Sequence, residues 1–142
     1  QLETPECIYI DDYAHHPREI AASLTSIRGN YPGYRLTAIF QPHLYTRTRD
    51  FAEGFAEALS NADRVILLDI YPAREDPIPG VTSEIIFKDI TTPDKVLLKK
   101  EQLMEHLAGI GIGEKEVFMT VGAGDIDRFV GPVTEMLKER TQ

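Results

Sequence analysis

The chain has 142 residues, 42% hydrophobic and 27% charged, with 15 basic against 23 acidic side chains and a formal charge of −8. That length suits one domain with a real core, and the acidic balance argues against broad binding to nucleic acid or to an anionic membrane. No apolar run approaches the roughly 18 residues of a membrane span, and the single Cys7 cannot close an internal disulfide, so a reducing, cytoplasmic setting is expected.

The opening "QLE" reads as the tail of an earlier strand, and without a leading methionine the chain is expected to be a piece of a longer protein. "CIYI", 7–10, predicts a short buried strand in which Cys7 is a small hydrophobe rather than a nucleophile. Asp11, Asp12, Tyr13, His15 and His16 then crowd one short turn. Neighbouring aspartates on an extended strand point to opposite sides: one can reach a ligand while the other caps backbone amides or pairs with an arginine. The two histidines lack HxH or HxxE spacing, so a metal would need a further ligand from elsewhere. They can instead donate to phosphate or carboxylate oxygens, or His16 can simply precede the helix-starting Pro17.

Ile20, Leu24 and Ile27 have helical spacing over 17–27, with Gly29 near the stop. "YPGY" is a turn, and "RLTAIF", 35–40, a strand. "QPHLYTRTRD", 41–50, gathers Gln41, His43, Tyr45, Thr46, Arg47, Thr48 and Arg49. Arginine offers a planar fork of donors matched to carboxylate or phosphate. A helix is expected over 50–59, and its first amides add positive potential, so basic residues there are favourable only with an outside anion. "RVILLDI", 64–70, is the strongest strand. A Pro-rich loop, 71–80, leads to a short helix capped by Thr82 or Ser83 and carrying Ile85, Ile86 and Ile90. A strand at 95–99, a helix at 100–108 with His106 on the surface, and a strand at 116–121 follow. "GAGD", 122–125, is a tight turn in which backbone can approach a ligand or Asp125 can cap the last helix. That helix carries Ile126, Phe129, Val130, Val133 and Leu137, and Pro132 should kink it or delay its regular part.

Five strand–helix units in a row predict an α/β fold: a single three-layer domain over 1–142, with a mainly parallel sheet of five or six strands and helices on both faces. Ligands in such sheets bind beyond the carboxyl ends of the strands, where the polar turns collect. There is no GxxxxGK[ST] and no GxSxG, and no Ser or Cys has a base beside it in sequence. The chain has binding groups but no catalytic residue evident within this domain alone.

"DDYAHHPREI", "FQPHLYTRTRDF", "DIYPAREDPIPGVTSE" and "VGAGDID", in that order, resemble the C-terminal domain of the Mur ligases over essentially the whole chain. They are most similar to the branch adding L-alanine to UDP-N-acetylmuramic acid in bacterial peptidoglycan synthesis. The resemblance implies a Rossmann-like, amino-acid-binding lid closing over a central ATP-binding domain, itself preceded by an N-terminal UDP-sugar-binding domain. In such an enzyme ATP, supported by Mg2+, phosphorylates the sugar's lactyl carboxylate, and the alanine amine attacks the acyl phosphate. Neither cofactor would be tightly held by this domain, which alone would be inactive and would hold no metal. It implies that Tyr13, His15, His43, Arg47, Gly122 and Gly124 bind the amino acid, with Arg47 on its carboxylate. Asp12 would meet the ATP ribose and His16 the phosphates. Many relatives carry arginine where Leu44 stands; either Arg47 acts alone, or Arg49 helps, or Leu44 encloses the alanine methyl. Rim polar groups are expected to lack partners within the lid. Two other readings compete: a phosphoacceptor signalling domain with Asp69 as acceptor, and a metal-dependent hydrolase using Asp11, Asp12, His15, His16 and His43.

Overall fold

The structure is a computed structural model that describes residues 2–3, 7–12, 14–72, 74–110, 115–122, 126 and 130–141. The apolar strands form one six-stranded sheet: β1 (Leu2–Glu3), β2 (Cys7–Asp12), β3 (Arg35–Phe40), β4 (Arg64–Leu68), β5 (Asp94–Leu98) and β6 (Glu116–Val121), in the order β1-β2-β6-β3-β4-β5. β1 pairs antiparallel with β2, and every other pairing is parallel. The last strand therefore sits between the first two parallel ones. Signalling folds of the doubly wound 2-1-3-4-5 order have no strand there, so the topology removes the phosphoacceptor reading.

The helices are α1 (Pro17–Asn30), α2 (Tyr45–Leu59), α3 (Glu84–Phe87), α4 (Leu103–Gly109) and α5 (Val130–Thr141), with a 3-10 turn at Lys100–Gln102 ahead of α4. Ile20, Leu24 and Ile27 of α1, Phe55 and Leu59 of α2, and Ile86 of α3 pack with Ile8, Leu36, Phe40, Leu67 and Met119 on one face of the sheet. Leu103 and Leu107 of α4 and Val133 and Leu137 of α5 pack with Tyr9, Ile39, Ile66 and Phe118 on the other. These are the three layers expected. Advancing along the sheet with helices on one face and returning on the other is what right-handed crossovers require.

The boundaries differ where sequence signals were weakest. β2 extends through Asp12, so both aspartates lie on the strand, in register with Thr120 and Val121, and not in a turn. α1 runs three residues past Ile27 and closes when the Tyr31 amide donates to the Ile27 carbonyl at 2.9 Å. α2 starts at Tyr45, five residues before the expected start. Its backbone leaves helical values at Phe51 (φ −121°, ψ 17°), so a first helical piece joins the expected one across a kink. Pro132 falls within the first turn of the described part of α5, a place where its missing amide costs no helical bond. His106 reaches the surface half-buried on α4. Phe129 and Asp125 lie outside the described residues.

At the amino ends of the strands the fully buried Glu116 accepts both forks of Arg35, one at 2.8 Å from Nε, with Arg64 Nη2 3.6 Å away. Arg64 also donates to Thr37 Oγ1 at 2.9 Å and lies over the Phe118 ring. This ionic group fastens β3, β4 and β6 at the edge opposite the polar turns. Burial pushes the Cys7 thiol up to about 11, consistent with an inert core residue.

Candidate functional site

The carboxyl ends of β2, β3, β4 and β6 carry the polar residues. Asp12 faces α1: Oδ1 accepts from the Ala14 amide at 2.8 Å and Oδ2 from Ser23 Oγ at 2.7 Å. Asp11 is exposed on the other side and accepts from Thr120 Oγ1 at 2.9 Å. Thr120 thus spends its proton on Asp11, so the buried Tyr9 phenol, 2.7 Å away, donates to Thr120. Burial holds that phenol up at about 12. The alternation of the strand divides the pair as expected: Asp12 takes the capping role, on an amide and a hydroxyl and not on an arginine.

His16 is the N-cap of α1. Its Nδ1 accepts from the Arg18 amide at 3.2 Å, while Glu19 Oε1 accepts from the His16 amide at 3.1 Å, which completes a capping box. An accepting Nδ1 places the ring proton on Nε2. The ring sits 5.0 Å from that of Phe51, at the kink of α2. His15 lies half-buried beside it, its amide 3.3 Å from Glu19 Oε1.

On the neighbouring strand end Gln41 is buried, and its side-chain oxygen accepts from the Ile126 amide at 2.9 Å. Gly122 has φ +142°, and a Cβ there would stand 2.8 Å from the Gln41 carbonyl. Its amide donates to the Asp12 carbonyl at 3.1 Å. The glycine is demanded by close passage of two main chains, whatever else approaches it.

Arg47 Nη1 donates to His43 Nδ1 at 3.1 Å. A guanidinium has no acceptor, so His43 is a neutral imidazole with its proton on Nε2. Burial, then the charges of Arg47 and His15, lower its pKa, with Glu75 opposing. The His43 ring stacks on Tyr71 at 5.7 Å and 13°, and the two residues form a parallel bridge extending the β3–β4 ladder. Between them Leu44 adopts φ 72°, ψ 139°, left-handed backbone that a branched side chain rarely enters. Neighbouring bonds hold it there: its amide donates to the Tyr71 carbonyl at 2.9 Å, and its carbonyl accepts from Thr48 Oγ1 at 2.8 Å. Strain of this kind persists only where surroundings over-determine it, and it clusters at functional sites.

The start of α2 lacks a side-chain cap from Leu44. Glu75, from the Pro-rich loop, supplies it: the carboxylate accepts from the Thr46 amide at 3.1 Å and from Thr46 Oγ1 at 2.6 Å. The Thr46 hydroxyl, then the Thr46 and Tyr45 amides, hold the Glu75 carboxyl below its ordinary value. The anion expected from outside is therefore partly internal. Among the described residues the rim is also well partnered, contrary to expectation: Asp12, His16, Thr46, Glu75 and His43 all have hydrogen bonds within the domain. Glu75 and Tyr71 were missed by sequence reasoning, because nothing local in "YPARED" announces that Glu75 has its partner 29 residues earlier.

Asp12, His15, His16, His43, Arg47 and Gly122 all lie along this one edge. Tyr13 and Gly124 lie outside the described residues. Among the described residues no three His, Cys, Asp or Glu side chains converge as metal ligands, so the hydrolase reading has no centre to work with. Asp69 accepts from the Lys100 amide at 3.1 Å and lines a pocket of about 460 Å³ with Tyr45, Ser83 and Lys99.

The sequence model described as "Mur ligase, glutamate ligase domain" matches residues 2–124. The chain belongs to the Mur ligase family. The UDP-N-acetylmuramate–L-alanine ligase of Parabacteroides distasonis is 57% identical over 136 residues, covering 96% of this chain and 29% of that protein. The enzyme of the same name from Porphyromonas gingivalis W83 is 51% identical over 137 residues, covering 96% and 30%. This Mur ligase domain thus spans about 30% of the length of these curated relatives. The crystal structure of UDP-N-acetylmuramate-alanine ligase MurC from Thermotoga maritima superposes with a TM-score of 0.76 at 27% identity, over 99% of this chain and 29% of that one. A domain from a putative UDP-N-acetylmuramate:L-alanyl-γ-D-glutamyl-meso-diaminopimelate ligase of Haemophilus ducreyi shares the fold at a TM-score of 0.69, with 16% identity over 94% of this chain and 93% of that one. No helix of the described residues is long and apolar enough to cross a membrane.

Proposed function

We propose that this domain is the amino-acid-binding lid of a cytoplasmic bacterial ligase that joins L-alanine to UDP-N-acetylmuramic acid, with ATP and Mg2+ bound chiefly by a central domain and the UDP-sugar by an N-terminal one. The observation that carries the reading is the Arg47–His43 pair on the carboxyl edge of the sheet, in a chain 57% identical to a relative of that name. Arg47 gives one of its five N–H groups to His43 and keeps a fork for the alanine carboxylate. His43 stays neutral and offers Nε2–H without adding a second full charge. His15 stands on the same edge, half-buried, with its amide 3.3 Å from Glu19 Oε1.

Asp12 retains lone pairs beyond its two internal bonds, enough to accept a ribose hydroxyl. His16, with Nδ1 committed to the cap, has Nε2–H free to donate to a phosphate oxygen. ATP supplies the phosphoryl group that activates the sugar acid, and closure of the lid keeps water from the activated carboxyl. The part of this chain is to hold the alanine carboxylate so that its amine is aimed.

In the full-length ligase, Arg47→Ala is expected to raise the alanine KM by about 10- to 100-fold, the worth of one charge-assisted bond, with the ATP KM little changed. An unaltered alanine KM defeats the assignment.

A further inference from the structure

The geometry points to Glu75 as a positioning residue of the amino-acid site, acting through the first turn of α2 on Arg47. The inference rests on the reading of Arg47 just given. Five contacts join the Pro-rich loop to the β3–α2 turn. Glu75 binds the Thr46 amide and hydroxyl. The Leu44 amide binds the Tyr71 carbonyl, the Tyr71 amide binds the Pro42 carbonyl at 2.8 Å, and the His43 ring lies on Tyr71. Arg47 follows Thr46 directly, in the same helical turn. Leu44 supplies no cap and holds strained backbone, so the turn depends on bonds from outside it.

The sign of the charge fits. The free amides of a helix start favour an anion, and the flanking Arg47 and Arg49 strengthen that field. An amino-acid carboxylate drifting in could settle on those amides in place of the arginine fork. Glu75 already occupies them, and so directs the incoming carboxylate to Arg47. It thereby contributes both geometry and selectivity of placement without touching the substrate.

A double-mutant cycle in the full-length ligase tests this. Glu75→Ala should raise the alanine KM by about two- to thirtyfold, the range spanned by loss of a helix cap. Glu75→Gln, which keeps one accepting oxygen, and Thr46→Val, which removes only the hydroxyl, should each raise it less. The ATP KM should hold throughout. On an Arg47→Ala background, Glu75→Ala should add nothing further. If Glu75→Ala folds poorly, the two milder variants carry the cycle alone. Equal effects with and without Arg47, or an unmoved alanine KM in Glu75 variants while Arg47→Ala raises it, overturn the inference. An unmoved KM in Arg47→Ala itself strikes the underlying reading of the site, and this one falls with it.

Discussion

Arg47 donates to the bare Nδ1 of His43 across 3.1 Å, so a permanently charged side chain and a neutral imidazole share one hydrogen bond at the mouth of the sheet. Protonating His43 would remove the acceptor and set two cations against each other.

The pH dependence of that pair has a definite sign. The folded pKa of His43 lies below the ordinary value of about 6.5. The unfolded chain therefore takes up the proton more readily. Stability from the neutral ring is present in full above about pH 6.5 and is lost as pH falls through the folded value. Of the other charges that act on the ring, Glu75 opposes the shift and His15 adds to it. An NMR titration should find the His43 midpoint below that of a solvent-exposed histidine, and Arg47→Ala should move it upward. A midpoint at the ordinary value or above would exclude the neutral pair.

Gly122→Ala is expected to destabilise the domain by about 2–4 kcal/mol, combining left-handed backbone with an overpacked contact. The added Cβ would meet the Gln41 carbonyl at 2.8 Å, and both chains are fixed by the sheet. Urea unfolding measures the loss. A stable Gly122→Ala would mean that the two strand ends can part without cost.

His16 should separate into two functions. His16→Ala removes the cap of α1 and should cost about 1 kcal/mol. His16→Asn preserves an accepting side chain at that position and should restore thermal stability while still weakening ATP binding in the full-length ligase. Equal destabilisation by both substitutions would deny the capping role.

Most of the architecture was legible because buried parallel strands are written as nearly continuous apolar runs and the helices as regular stripes. Ile20, Leu24 and Ile27 pointed to α1 directly, and the predicted edge of the sheet carries the described candidate residues. What escaped depended on distant partners. The true start of α2 is set by Glu75, outside any local window, and the kink at Phe51 hid the first helical piece. The reason for Gly122 lies in Gln41, 81 positions earlier and adjacent only after β6 inserts beside β3. The extension of β2 through both aspartates is written in the register with β6, where Asp11 faces Thr120, and no strand propensity of aspartate announces it.

The bridge between His43 and Tyr71 has one more consequence. It stitches two segments beyond the regular sheet into a preformed cradle, so the freedom those side chains give up is surrendered when the polypeptide folds and not when a guest arrives. On the proposed reading the guest is a small amino acid, which offers few atoms with which to repay such ordering at the moment of capture. A receptor for so slight a molecule gains most from being finished in advance.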